Sequence, residues 1–534
     1  MLFISCSKDL KKQAILAETI DYKKELQTFF RDNFNYLDST KIIQQVSLKN
    51  VDKINALYKN SNHNLIWIND SISLSNSASK LIEELSKSSE YGLKPSFYNT
   101  VLLLKIKKEL YKIKNKTNRY KLAADLELLL TNSYMLYGKH LNYGILDSID
   151  SITILPRKKF KIDLTKYLFK AHKSDSLIER LFELQPKHLA YHKLQKNLVN
   201  YIKTSSLSTD NVEVKNFRID SLKAIFQSKK ALVLHKYLDS VTNGSIYFDA
   251  LRKFQYQHGL KPDGLIGKNT AKALSKSPYE YYQSIVVNLE RWRWKEEFPS
   301  DYLFVNMPAY ELEFYRQDKI KLKQNVVIGK YKSQTPEIRD SLQYIVAYPY
   351  WYVPKKISLE EILVKTQKDS TYFKRNNFEV ITYGKKPIDF ETLDFQEINK
   401  GNFKYLIRQS GGGSNSLGLV KFIFPNKYAI YLHDTPSKSL FYKEKRAYSH
   451  GCVRVEKAFK LAEHILEYDK NERTIDSIKK YIKNQKEKSI KLNNSLPIFL
   501  YYFTTKVDDN NNLIFYNDVY DKDKLIVEQM RLKN

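Results

Sequence analysis

The chain has 534 residues, 42% apolar and 28% charged, with only 15 Gly and 14 Pro. These proportions exclude a disordered or collagen-like chain, and the length exceeds one hydrophobic core, so about three domains are expected. Lys and Arg outnumber Asp and Glu by 89 to 59, a formal charge of +30. The excess is 73 Lys against 16 Arg, dispersed in short pieces such as Lys11-Lys12 and Lys355-Lys356. Without an Arg-rich groove-reading block or an aromatic-interleaved basic stripe, it argues against nucleic acid and fits general attraction to an anionic matrix or a codon bias toward Lys, Asn, Ile and Tyr.

Residues 1–45 read as a polar leader or tether. Within them, Leu2-Phe3-Ile4-Ser5-Cys6-Ser7 resembles the end of a bacterial lipoprotein signal, which implies membrane attachment through a lipidated Cys6. The five residues ahead of Cys6 are too few for a whole secretory signal, so either the true start lies upstream or Cys6 is incidental. No run elsewhere reaches the ~18 apolar residues of a membrane span. Residues 46–205 carry helical spacing, with Ala78, Leu81, Ile82 and Leu85, and then Leu122, Leu126, Leu129 and Leu130; Pro95 marks a helix start. Residues 217–277 predict a compact three-helix unit whose Gly259–Thr270 loop is rich in turn residues. From about 285 to 530 the texture becomes β-branched and aromatic, with strands expected at Leu303–Met307, Leu312–Tyr315, Val326–Gly329, Tyr344–Val346, Val420–Phe424 and Tyr428–Leu432. A more helical, charged stretch at about 356–415 interrupts them like a lid, and Phe499–Val507 with Leu513–Tyr516 predicts a closing hairpin. The fold class expected is multidomain α+β.

The chemistry concentrates in Tyr431-Leu432-His433-Asp434 and Ser449-His450-Gly451-Cys452-Val453-Arg454. An unbonded Cys is often merely a small buried residue. Here Gly451 permits close backbone approach, and His450, Arg454 and Arg446 supply an electropositive setting expected to favour thiolate. A thiolate attacking an amide needs a base that later protonates the leaving amine. His433, at a strand end, can be aimed at the sulfur from a neighbouring strand, whereas His450 is expected to shape the site. The backbone N–H groups of Gly451 and Cys452 are the expected oxyanion donors. Asp434 is a candidate to orient His433. Ser449 and Tyr431 are assigned to site geometry, and Trp351 to core or groove wall. No His/Cys ligand cluster suggests a metal.

These segments resemble the signature of the YkuD-type L,D-transpeptidases, bacterial enzymes that cross-link peptidoglycan with a cysteine nucleophile. Asn288-Leu289-Glu290-Arg291-Trp292-Arg293-Trp294, Gln334-Thr335-Pro336 and Pro349-Tyr350-Trp351-Tyr352-Val353-Pro354 resemble the large YcbB-like branch. Phe254-Gln255 with Gly259–Gly267 is similar to a small peptidoglycan-binding domain, and Leu65-Ile66-Trp67 with Tyr91–Pro95 to that branch's scaffold domain. The resemblance implies Cys452 as acylated nucleophile and His433 as acid/base, with no cofactor. It implies attack on the diaminopimelate–D-Ala bond of a tetrapeptide stem, release of D-Ala, and transfer to the side-chain amine of a second stem as a 3→3 cross-link. Stem peptides and glycan strands would be the partners, the bacterial envelope or periplasm the location, and carbapenems inhibitors. Where other members carry Asn two residues after the nucleophile, Arg454 stands here, bearing on substrate carboxylate or on the loop. The alternatives are an L,D-carboxypeptidase or cross-link hydrolase with the same Cys/His pair, and a noncatalytic wall-binding protein.

Overall fold

A computed structural model of the chain describes residues 24–34, 42–147, 158–174, 176–241 and 244–532. Cys6 lies outside them, so the lipidation reading is not addressed. Among the described residues no helix is long and apolar enough to cross a membrane.

The N-terminal half is helical. Helix Lys116–Tyr143 is its axis, capped by Asn115, which accepts from the Asn118 N–H. Around it pack helices Val51–Asn60, Asn76–Ser86, Thr100–Leu110, Leu164–Lys173 and Leu177–Glu183, which bury their apolar stripes in one core. Leu81, Ile82 and Leu85, three and four residues apart, face inward as their spacing predicts. Pro95 begins a short 3₁₀ turn, Pro95–Tyr98, and a new helix follows at Thr100. The tether reading of 1–45 needs correction at its end. Residues 24–33 are helical, and Leu26, Phe30 and Phe34 are fully buried, Phe30 5.0 Å from the Tyr58 ring. Leu26, Phe30 and Phe34 lie four residues apart, which is one side of a helix.

Helices Ser221–Leu234, Ser245–Gln257 and Lys268–Leu274 enclose a separate core around Leu232, Leu251, Phe254 and Leu274. The buried Gln255 organises the following loop, donating to Leu265 O at 3.0 Å and accepting from the Gly264 N–H at 2.8 Å. The Asp263-Gly264 stretch is therefore a braced turn.

Helix Pro278–Trp294 joins the halves. Ser277 and Glu280 form a capping box with Pro278 in the first turn. Farther along, Glu290 accepts from the Ile145 and Leu146 N–H groups at 2.7 and 3.1 Å, Arg293 donates to Tyr91 O, and Asn288 donates to Thr504 Oγ1 at 2.7 Å. The polar residues of the Asn288–Trp294 segment thus fasten the helical half to the β-rich half.

The β-rich half is built on β1 Tyr302–Asn306, β2 Glu311–Arg316, β3 Lys319–Gly329, β4 Ile338–Ala347, β5 Val420–Ile423, β6 Leu432–His433, β7 Ala447–Ser449, β8 Val453–Val455 and β9 Lys488–Tyr501. Their order is β7-β3-β8-β6-β5-β4-β9-β1-β2, and β2 pairs again with β3, so the sheet curls back on itself. Helix Ala458–Asp469 covers it, contributing Leu461, Ala462 and Ile465 to the core. The short hairpin Thr505–Val507 with Leu513–Phe515 stands where the sequence predicts it, whereas the preceding segment belongs to β9 in the main sheet.

The insertion leaves after β4 and returns at β5, whose Val420 pairs with Ala347. The expectation of a helical lid needs correction. Besides the short helical turns from Lys355 to Arg375, the insertion holds a four-stranded antiparallel sheet of Trp351–Tyr352, Leu406–Gln409, Phe378–Ile381 and Pro387–Ile388. Its own core contains Val353, Ile362, Phe373, Phe378 and Ile407. Strands of two to four residues between charged turns leave too short an alternation to read in sequence.

Candidate active site

Strand register assembles the site. β6 runs parallel to β8 with His433 opposite Arg454, and antiparallel to β5 with Lys421 opposite His433. Residues opposite one another share a sheet face, and alternate residues return to it. Tyr431 and Cys452, two residues before His433 and Arg454, therefore lie on this same face with Lys421. His433 is buried, whereas its four neighbours are half-buried around the cleft.

His433 Nδ1 lies 2.5 Å from the Asp434 carbonyl oxygen. With Nδ1–H donating there, Nε2 remains the acceptor. Burial and then the Arg454 charge hold the imidazole down to about 3, against the pull of its bonds to the Asp434 and Leu417 carbonyls. The ring is neutral at rest. Asp434 thus orients His433 through its backbone, because its carboxylate is used elsewhere: it pairs with Lys438 Nζ at 2.5 Å and accepts from the Leu419 N–H at 3.0 Å. Gly418, at φ +62°, makes room, since a Cβ there would lie 2.4 Å from Asp434 Oδ2.

Burial pushes the Cys452 thiol up, opposed by hydrogen bonds from Tyr431 and by the charges of Lys421 and Arg454. The expectation that an electropositive setting produces thiolate is therefore corrected: desolvation outweighs the cations, and the resting sulfur is a thiol. Arg446 plays no part in this balance; its guanidinium donates to the Ala309 and Tyr310 carbonyls at 3.3 and 3.2 Å. The sulfur's partners are Tyr431 and, at 3.9 Å, the Ala429 carbonyl. Tyr431 in turn hydrogen-bonds Trp351 from the insertion, and Lys421 Nζ sits 3.8 Å from the centre of its ring.

The loop carrying Cys452 is braced from below. Ser449 Oγ donates to Cys452 O at 2.5 Å and accepts from the Gly451 N–H at 3.2 Å, while Thr335 Oγ1 donates to Gly451 O at 2.7 Å. Gly451 has φ +121°, a conformation that side-chain-bearing residues avoid. Its N–H is committed to Ser449, so the expected Gly451 oxyanion donor is corrected, and the Cys452 N–H is left as the backbone candidate. His450 points to the insertion, its Nε2 2.5 Å from Glu361 Oε1 and 3.4 Å from Lys330 Nζ. Arg454 leaves Nε without a hydrogen-bond partner.

Residues 300–475 match the family model described as L,D-transpeptidase catalytic domain (YkuD), and residues 52–198 match one described as Scaffold domain. The chain carries a YkuD-type L,D-transpeptidase catalytic domain. The match spans β1 to the helix after β8, including all five residues of the sheet face. A Haemophilus influenzae protein named "Putative L,D-transpeptidase" is 34% identical over 245 residues, 46% of this chain and 49% of that protein. The chain thus spans about half the length of that curated relative. A solved structure described as the Ldtfm-avibactam carbamoyl enzyme aligns with 38% of this chain and 49% of its own at 11% identity and a TM-score of 0.16, too little to carry an argument.

Lys421 and Glu361 are neighbours of the YkuD site that the sequence does not announce, while Thr335, present in the Gln334-Thr335-Pro336 motif, gains its bracing role only from the structure. A lone Lys within the apolar strand Val420–Phe424 was the available signal for Lys421. Glu361, on an exposed turn of the insertion, had none.

Proposed function

We propose that this protein is a peptidoglycan L,D-transpeptidase of the bacterial envelope, with Cys452 as nucleophile and His433 as acid/base. The observation that carries the reading is the shared sheet face of Tyr431, His433, Cys452, Arg454 and Lys421, aligned by strand register. At rest, thiol and imidazole are each neutral because burial penalises either charge alone. Proton transfer from Sγ to Nε2 creates both charges together, so that each offsets the other's desolvation. Apo catalytic hydrogen bonds commonly tighten only with substrate bound.

The thiolate attacks the diaminopimelate carbonyl of a donor stem. The Cys452 N–H would face the developing oxyanion, the Tyr431 hydroxyl would stabilise the attacking sulfur, and Arg454 and Lys421 would favour the carboxylate-bearing substrate. As the C–N bond breaks, His433 protonates the departing D-Ala amine and leaves a thioester. The acceptor amine then gives its proton to His433 and attacks the thioester, forming the cross-link and releasing the thiol. The three-helix unit resembles a peptidoglycan-binding module and would hold the polymer near this cleft. The insertion, joined to the site through Trp351 and Glu361, would form a lid-like wall.

Incubation with purified tetrapeptide muropeptides, followed by mass spectrometry, tests the reading. A dimer of 3→3 linkage that disappears with Cys452→Ala supports it. Tripeptide monomer alone reassigns the acyl acceptor to water, and the absence of any Cys452-dependent product rejects both activities.

A further inference from the structure

Nine of the 22 exposed large apolar side chains among the described residues fall between 217 and 265, in the three-helix unit. Ile219, Leu222 and Leu265 are 76, 82 and 66% exposed. Helix Ser221–Leu234 explains why this is a face. Ala224, Ser228, Ala231 and Leu232 point into the core, while Leu222, Phe226 and Lys230, spaced by four residues, form the opposite stripe. The patch continues into the preceding loop through Ile219 and Phe217. The Phe217 N–H donates to Ile266 O, placing Leu265 beside it, and a Cβ on Gly264 would lie 3.6 Å from the Phe248 ring.

Among the described residues, none outside the unit covers Ile219, Leu222 or Leu265. The unit meets the β-rich half through Tyr256, whose hydroxyl donates to Asp508 at 2.9 Å, and through His258, stacked on Phe515. Charge surrounds the patch: residues 211–276 hold twelve Lys and Arg against five Asp and Glu. Lys230 Nζ stands 4.5 Å from the centre of the Phe226 ring, so a cation borders the apolar stripe directly.

We propose that this face docks on an anionic lipid surface, its aliphatic and aromatic tips entering the headgroup–acyl boundary while the basic rim meets phosphate headgroups. A glycan strand is the poorer fit, because Ile219, Leu222 and Leu265 offer sugar hydroxyls no hydrogen-bond partner. Acyl chains match them, and the basic rim complements an anionic leaflet. The surface is independent of the catalytic cleft, and would hold the chain at the membrane without help from any lipid anchor.

Cosedimentation of the full chain with phosphatidylethanolamine/phosphatidylglycerol vesicles tests this, with phosphatidylcholine vesicles, purified sacculi and sedimentation velocity as the other arms. Binding to the anionic vesicles alone, weakened by salt, is expected. Lys229→Glu with Lys230→Glu should weaken it by about tenfold or more, and Leu222→Asp with Phe226→Asp should abolish it with an unchanged circular-dichroism melt. The proposal falls if the wild-type chain ignores these vesicles or if the Leu222/Phe226 variant binds them equally. It also falls if that variant loses only sacculus binding, or only self-association, without any vesicle binding in the wild type. None of these results bears on the Cys452-dependent muropeptide assay, so the two proposals fail separately.

Discussion

The helical half and the catalytic face each bury polar groups, and they treat them oppositely. In the helical half, Glu127 is fully buried with every side of its carboxylate occupied: Oε1 accepts from the Ile66 N–H at 2.6 Å and the Tyr58 hydroxyl at 2.8 Å, and Oε2 from the Trp67 and Ile68 N–H groups at 3.0 and 3.1 Å. On the catalytic face, Lys421 rests over the Tyr431 ring, Arg454 leaves Nε unsatisfied, and Cys452 is held as a thiol by desolvation. Complete pairing fixes a loop to a helix. Incomplete pairing leaves capacity for a substrate carboxylate or an oxyanion.

The largest expected effect breaks the first half of that contrast. Glu127→Ala strands three buried backbone N–H groups and should cost about 3–5 kcal/mol in denaturant unfolding. A loss below about 1 kcal/mol would mean that the loop is held by packing alone. Lys421→Met should do the reverse, lowering carbapenem or muropeptide acylation by about 10–100-fold while unfolding shifts by less than about 1 kcal/mol. Equal losses of stability and rate would make Lys421 a structural residue.

The pH dependence sharpens the same contrast. Burial raises the Glu127 carboxyl to about 7 from its ordinary 4.5, against the pull of its four donors. Below the unfolded value both states are protonated and this contribution is fully present. It is lost as pH rises through the folded value, so this group should make the chain less stable at pH 8 than at pH 4.5 by about 2–3 kcal/mol. Glu127→Gln should flatten that slope, measured by urea unfolding across the range. On the catalytic face, iodoacetamide alkylation of Cys452 should accelerate only above the ordinary thiol range. Tyr431→Phe removes the hydroxyl donor to the sulfur and should slow alkylation at pH 8 by about tenfold. An unchanged pH profile would remove Tyr431 from the stabilisation of the thiolate.

Much of the design was legible locally. The Ser449–Arg454 and Tyr431–Asp434 segments mark Cys452 and His433 as candidates because thiol chemistry needs a base and a tight Gly turn, and these residue types stand together in two short stretches. The helical half was readable because Leu81, Ile82 and Leu85 repeat at the period of one helix face. The small strands of the insertion were not readable, since two to four residues give no sustained alternation. The burial of Phe30 and Phe34 depends on Tyr58 and His63, remote in sequence.

The sequence by itself set which side chains are candidates for the chemistry: the Cys452 sulfur, the His433 imidazole, and Gly451, which lets the cysteine loop turn. Only the tertiary structure decided their states and companions. Register placed Lys421 and Arg454 on either side of His433, burial rather than charge set the Cys452 thiol, and competing bonds took the Asp434 carboxylate and the Gly451 N–H away from the tasks their positions suggested. Residue type fixes chemical capacity along the chain, whereas desolvation and hydrogen-bond partnership belong to neighbours that only folding supplies.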